Sequence, residues 1–285
     1  MSFYRAIVIY IFTPVLIFIS ASCNNKINFA SPPGYDLNHP VTIYLRSELT
    51  EISGIIYYPK DTGVFAISDA SGSLYKFFPG REMPVAKWKF GSNHDYEDLQ
   101  RIDSTFYILS SNGDIVSVKF SKQSPMQVNN FKIQDKEKNE FETLYFDSAL
   151  HKLILVCKDC KEDKKNSVST RSFDITSNTF TDGPYKIDVT KINKLMNVKD
   201  MKFKPSAAAI NPLTNELFIL SSVNKMLVIA DRNGNVKQAY ALRPSIYKQP
   251  EGMAFTPSGN LLISNESAKE GSANILIIKY KNQAE

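Results

Sequence analysis

A short phrase recurs five times along the chain, and its spacing constrains the fold more than any other feature. The fullest copy is Pro250-Glu251-Gly252-Met253-Ala254, and shorter ones are Tyr96-Glu97-Asp98-Leu99, Phe141-Glu142-Thr143-Leu144, Pro205-Ser206-Ala207-Ala208 and Ile52-Ser53-Gly54-Ile55. The anchor positions 53, 97, 142, 206 and 251 are separated by 44, 45, 64 and 45 residues. A period of about 45 is the length of one four-stranded propeller blade. Each phrase leads into an apolar strand, a turn and a second apolar strand, as in Phe65-Ala66-Ile67-Ser68 and Phe218-Ile219-Leu220-Ser221. The expected fold is therefore all-β, a five-bladed β-propeller with four-stranded blades.

Turn signals divide the chain accordingly. Asp61-Thr62-Gly63 and Ala70-Ser71-Gly72 punctuate the first blade, and Ser111-Asn112-Gly113-Asp114 marks a hairpin in the second. The long third interval holds a charged hairpin at 158–168 and the stretch 189–202, where Ile192, Leu195, Met196 and Val198 suit a short helix. After Gly252 the chain supplies only three strands, whereas Val41-Thr42-Ile43-Tyr44-Leu45 has no partner nearby. Pairing 41–45 beside 275–280 would complete the last blade and leave no sheet edge at the seam.

The expected domain therefore covers 41–285. Before it, Arg5 precedes an apolar run from Ala6 to Ile19, too short for a bilayer span and suited to a signal peptide. Ser20-Ala21-Ser22 then lead to Cys23, which resembles a bacterial lipobox although Ser20 stands where Leu is usual. This predicts a lipoprotein signal at 1–22, lipid attachment at Cys23 and a tether over 23–40, placing an exported protein on a membrane of the bacterial envelope, the outer membrane being favoured. An ordinary secretory signal followed by an incidental cysteine is the alternative. Beyond residue 22 the chain carries 33 basic and 29 acidic side chains, scattered or mixed. That excludes a nucleic-acid patch. A monomer is expected.

The recurrent glutamates carry the chemistry. Glu97, Glu142 and Glu251 begin the innermost strands of three blades, so they should converge at one mouth of the central channel. Converging carboxylates repel one another unless a cation neutralises them, and an all-oxygen set on separate blades suits Ca2+ better than the tight octahedron of Mg2+. A glutamate that merely meets solvent at the rim is the competing reading. Ser53 and Ser206 occupy the same position in the other two blades and could contribute hydroxyls. Asp95 and Glu140, two residues upstream, are expected to turn away by strand alternation.

Hairpin geometry returns the second-strand ends to the same mouth, which nominates Asp69, Ser111, Asn112, Lys158, Ser222 and Asn265 as binding residues. Lys158 is a lone cation suited to an anionic group or to part of the ion's charge. Cys157 and Cys160 flank it, and in an exported protein a local disulfide pinning the hairpin is favoured over zinc or redox chemistry, since no further cysteine pair completes a metal site. No nucleophile elbow or phosphate loop is present.

Taken in order and spacing, the four phrases at 96–99, 141–144, 205–208 and 249–254 resemble the SdiA-regulated family of bacterial exported proteins, over roughly residues 41–281. The resemblance implies a five-bladed propeller distantly similar to NHL-repeat propellers, a bound calcium ion at a shared site and no established activity. It points to a ligand- or partner-binding module at the channel mouth. A calcium-dependent phosphoester or lactone hydrolase is the rival from another class, and a scaffold locked by the ion is a third.

Overall fold

The computed structural model describes residues 29–120, 126–134, 138–267 and 272–282. A first strand, β1 (Val41–Tyr44), precedes the ring. Blade 1 contains β2 (Ile52–Tyr58), β3 (Gly63–Ser68), β4 (Ser71–Phe77) and β5 (Ala86–Lys89), and blade 2 contains β6 (Tyr96–Ile102), β7 (Thr105–Ser110), β8 (Ile115–Lys119) and β9 (Gln127–Phe131). Blade 3 is β10 (Glu140–Asp147), β11 (Lys152–Asp159), β12 (Ser167–Asp174) and β13 (Thr179–Asp188), followed by helix α1 (Val189–Met196). Blade 4 is β14 (Ala207–Ile210), β15 (Leu217–Ser221), β16 (Met226–Ala230) and β17 (Val236–Ala241). Blade 5 orders β18 (Pro250–Phe255), β19 (Leu261–Asn265) and β20 (Asn274–Ile278) outwards, with β1 antiparallel on its outer edge, Val41 opposite Ile277 and Tyr44 opposite Asn274.

The inner strands touch in the cycle β2, β6, β10, β14, β18 and back to β2, which makes the sheets a ring. The second strands are sandwiched between neighbouring blades, so their apolar residues run continuously instead of alternating. Every residue of β3, β15, β16 and β19 is buried. At about 1.5–3 kcal/mol for each fully buried large apolar side chain, these strands supply most of the driving force.

Ring closure demands small residues where the inner strands meet. The position after the anchor is Gly54, Asp98, Thr143, Ala207 or Gly252. A Cβ on Gly252 would run into Ser264 Oγ and Ser53 O, and one on Gly54 would meet the Asp98 carboxylate and Cα. Side chains join the blades at this level. Ser53 Oγ donates to Glu97 O (2.6 Å), Ser206 Oγ to Pro250 O (2.9 Å) and Ser264 Oγ to Ser53 O (2.9 Å). Asp98 joins blades 2 and 3 by accepting the Leu99 amide on Oδ1 and the Leu144 amide on Oδ2, both at 2.8 Å. Burial holds its carboxyl well above the usual carboxylate range, against those two amides.

Helix α1 occupies part of the long third interval. Its N-cap Asp188 accepts the Thr190 amide at 2.8 Å, and Asn197 ends it in the left-handed region (φ 52°). The tether expected through residue 40 stops earlier. Tyr35 and Leu37 are buried against blades 4 and 5, where Tyr35 Oη donates to Gly259 O (2.8 Å) and Tyr247 Oη donates to Leu37 O (2.8 Å). Their apolar side chains outweigh the turn-rich composition around them. Cys23 and the expected signal lie outside the described residues, and among the described residues no helix is long and apolar enough to cross a membrane.

Candidate functional site

Four of the five inner strands carry a β-bulge at the recurrent phrase. Tyr96 pairs with Ser110 and Asp98 with Leu109, leaving Glu97 opposite no residue; Glu142 is skipped between Phe141 and Thr143, and Glu251 between Pro250 and Gly252. In blade 1 the pairing jumps from Ile52 to Ile55, skipping Ser53 and Gly54. An extra residue in one strand kinks it and re-aims the bulged side chain. Here that device delivers Ser53, Glu97, Glu142 and Glu251 into one cavity of about 590 Å³ lined by all five blades.

The cavity is acidic beyond the expected set. Glu51, Asp95, Glu140 and Glu266 line it with Asp69 and the three ring glutamates, and among the described residues its cations are Lys158, Lys225 and Lys248. Asp95 and Glu140 therefore do not turn away. Residues two apart in an extended strand share a face, so Glu51, Asp95, Glu140 and Gln249 all follow their anchors into the cavity. That two-residue offset is the sequence signal that identifies Glu51.

A slip of one residue explains the second-strand ends. The Asp69 amide donates to Glu51 O (3.2 Å), the Ser111 amide to Asp95 O (3.0 Å) and the Glu266 amide to Gln249 O (2.9 Å), so the blade 5 equivalent of Asp69 is Glu266 and not Asn265. Asn265 is fully buried and turns outwards, donating from Nδ2 to Ile246 O (3.1 Å) and Asn274 Oδ1 (3.0 Å). Asn112 lies in its hairpin turn, where Oδ1 accepts the Asp114 amide at 3.0 Å, and it does not line the cavity. Ser206 is also outside the lining, its hydroxyl spent on Pro250 O and on the Ser222 amide (3.1 Å). Ser222 itself does line it.

Electrostatics follow from many acids in a partly dry space. Burial pushes Glu97 up to about 8, Asp95 adding repulsion and Lys158 opposing it. Glu251 is raised to about 7 by burial, with the Ser222 hydroxyl and then Lys158 opposing. Glu266 rises to about 8 through burial and a hydrogen bond to Glu51, and Asp69 is raised by burial and Glu51. Lys225 is lowered by burial, against the pull of Glu251. Lys158 Nζ is bound to Glu142 Oε1 and, at 2.9 Å, to Glu140 Oε1. A disulfide joins Cys157 to Cys160 on either side of it.

The donors suit a hard cation. They are carboxylate oxygens, and Asp69 Oδ1 is buried with no hydrogen-bond partner. Among the described residues, the carboxylates of the mouth whose oxygens all come within 4.8 Å of one another are Glu51, Asp69 and Glu266; Glu97, Glu142 and Glu251 share the cavity without forming such a group.

A protein-family model for the SdiA-regulated proteins matches residues 37–269. The chain belongs to the SdiA-regulated family. No curated protein matches it. Among solved structures, glutaminyl cyclase from Myxococcus xanthus superposes with a TM-score of 0.57 at 14% identity, covering 86% of this chain and 97% of that one. A calcium-binding protein, regucalcin, from Agrobacterium tumefaciens str. C58 gives a TM-score of 0.52 at 13% identity, with 90% and 96% covered. At these identities the likeness places this SdiA-regulated family member among propellers and carries no residue or activity across.

Proposed function

We propose that the protein is a calcium-binding propeller of the bacterial cell envelope, anchored by lipid at Cys23, that presents its acidic channel mouth to a ligand or partner. One observation carries the reading: bulges at the recurrent phrase aim glutamates from three blades into one cavity where burial already holds two of them far above their ordinary range. Binding of a divalent cation removes that cost, because the ion favours the ionised carboxylates. Glu51, Asp69 and Glu266, whose oxygens come within 4.8 Å of one another, would hold the ion together with Glu97 and Glu251, which line the same cavity. The regucalcin named above is described as a calcium-binding protein, which agrees with the reading without supporting any residue of it.

A module is favoured over a hydrolase because, among the described residues, the cavity's cations are three lysines, one of them already bound to two glutamates, with no arginine to clamp a phosphoester. The test is calorimetric titration of calcium into chelator-treated protein. The parent is expected to bind, and Glu97→Gln and Glu251→Gln each to bind more weakly. Undiminished binding in both variants would place the ion elsewhere. For the anchor, Cys23→Ser is expected to abolish fatty-acid labelling and release the protein from membranes; persistent labelling overturns that part.

A further inference from the structure

Lys158 differs from the other two cations of the mouth. It leaves the end of β11 and reaches inwards, with only 19% of its side chain exposed, to hold Glu142 Oε1 and Glu140 Oε1 together. Its charge is also felt by Glu97 and Glu251, so one ammonium serves carboxylates from blades 2, 3 and 5. Its backbone is fenced in. The Cys157–Cys160 disulfide closes a four-residue ring around it, and its neighbour Asp159 is tied to Lys204 at 2.8 Å at the entry to blade 4. Lys225 differs in that its Nζ donates to a backbone carbonyl, Lys248 O, at 2.6 Å.

We infer that Lys158 is a resident cation of the acidic mouth, a tethered ammonium that competes with a divalent ion for the ring glutamates and withholds Glu142 from it. This rests on the calcium reading above and deepens it by naming what sets the site's affinity. A tethered charge acts at high effective concentration and must be displaced, or bypassed, before Glu142 can ligate an ion. Glu142 is then a latent ligand. The metal set of the resting protein is drawn from blades 1, 2 and 5, and the blade 3 glutamate joins it only when the lysine moves away.

Two competing explanations predict different outcomes. If Lys158 merely lowers the negative potential of the cavity, any cavity lysine should behave alike. If it occupies the place of the ion, its removal should act through Glu142. The experiment is calcium titration of the full chain as parent, Lys158→Met, Lys225→Met, Glu142→Gln and the Lys158→Met/Glu142→Gln double variant, each checked for an intact melting transition. Lys158→Gln replaces Lys158→Met should the latter misfold.

Removing Lys158 is expected to tighten calcium binding on the order of tenfold, about 1.4 kcal/mol, and by more than removing Lys225 does. Glu142→Gln alone is expected to change affinity less than it does in the Lys158→Met background, where the gain should largely disappear. Equal affinities of parent and Lys158→Met, or equal gains from the two lysine variants with no dependence on Glu142, overturn the inference while leaving the calcium reading intact. Absence of calcium binding in both the parent and Lys158→Met overturns the two together.

Discussion

The two ends of the channel are built from the same five strands and differ in almost everything else. At the end where β2, β6, β10 and β18 begin, bulges present carboxylates around about 590 Å³. Three and four residues beyond the anchors, the regular portions of all five inner strands line a second cavity of about 500 Å³. There the fourth position supplies Tyr57, Arg101, Phe146, Ile210 and Phe255, four apolar side chains and one cation, and among the described residues no carboxylate lines it. The propeller brings five strands together at both ends. What separates the ends is one backbone irregularity and the residue placed on it. A regular strand continues its side chains into the blade interfaces, as Phe255 does against Phe218 and Arg101 does over the Tyr58 ring, 4.8 Å from its centroid. A bulge diverts the side chain towards the axis.

The sharpest way to break both ends at once is to force the inner strands apart. Gly252→Val places a branched side chain against Ser264 and Ser53 of the neighbouring strands, and overpacking of about 3 kcal/mol or more is expected. Chemical denaturation is the measurement, and calcium binding should be lost with the fold. A variant as stable as the parent would show that the strands approach less closely than described.

A smaller effect distinguishes the acidic end. Calcium at a hundredfold excess over its dissociation constant is expected to stabilise the protein by about 2.7 kcal/mol, or roughly 5–10 °C in melting temperature for a chain of this size. In chelator the pH dependence should run the opposite way to that of a salt-bridged protein. Glu97 and Glu266 have folded values near 8, above their unfolded ones, so their contribution is fully present at low pH and is lost as pH rises through about 8. Melting temperature in chelator should therefore fall between about pH 5 and 8, and calcium should remove that fall. Glu97→Gln should flatten the profile in chelator; an unchanged slope would mean that Glu97 is already ionised.

The smallest effect belongs to the apolar end. Arg101→Gln removes the one cation among the described residues that line it and is expected to leave calcium affinity within about twofold of the parent, because the charge lies several residues along the strand and is screened by solvent. A larger change would couple the two mouths and abolish the distinction drawn between them.

Period and composition determined much of this protein. Five phrases at a spacing near 45, each followed by paired apolar strands, required five blades, and Glu97, Glu142 and Glu251 could be assigned to one mouth because equivalent positions in a ring must converge. The strand Val41–Tyr44, left without a local partner, lies beside β20. Errors arose wherever one residue of register mattered. Glu266 and not Asn265 faces the cavity and Asn112 is held in its turn, whereas Asp95 and Glu140 face inwards for a separate reason, since residues two apart on a strand share a face with their anchors. Alternation along a strand is a local rule, and a one-residue slip reverses every assignment made with it.

Only the tertiary structure decided which charges meet. That Lys158 of β11 takes Glu140 and Glu142, that Glu51 and Glu266 share a hydrogen bond, and that Asp98 serves an amide of the next blade are consequences of closure, which brings together residues as much as 215 positions apart. The sequence carries a repeated local instruction for each blade, whereas the energy of a buried charge depends on every neighbour that the closed ring sets around it.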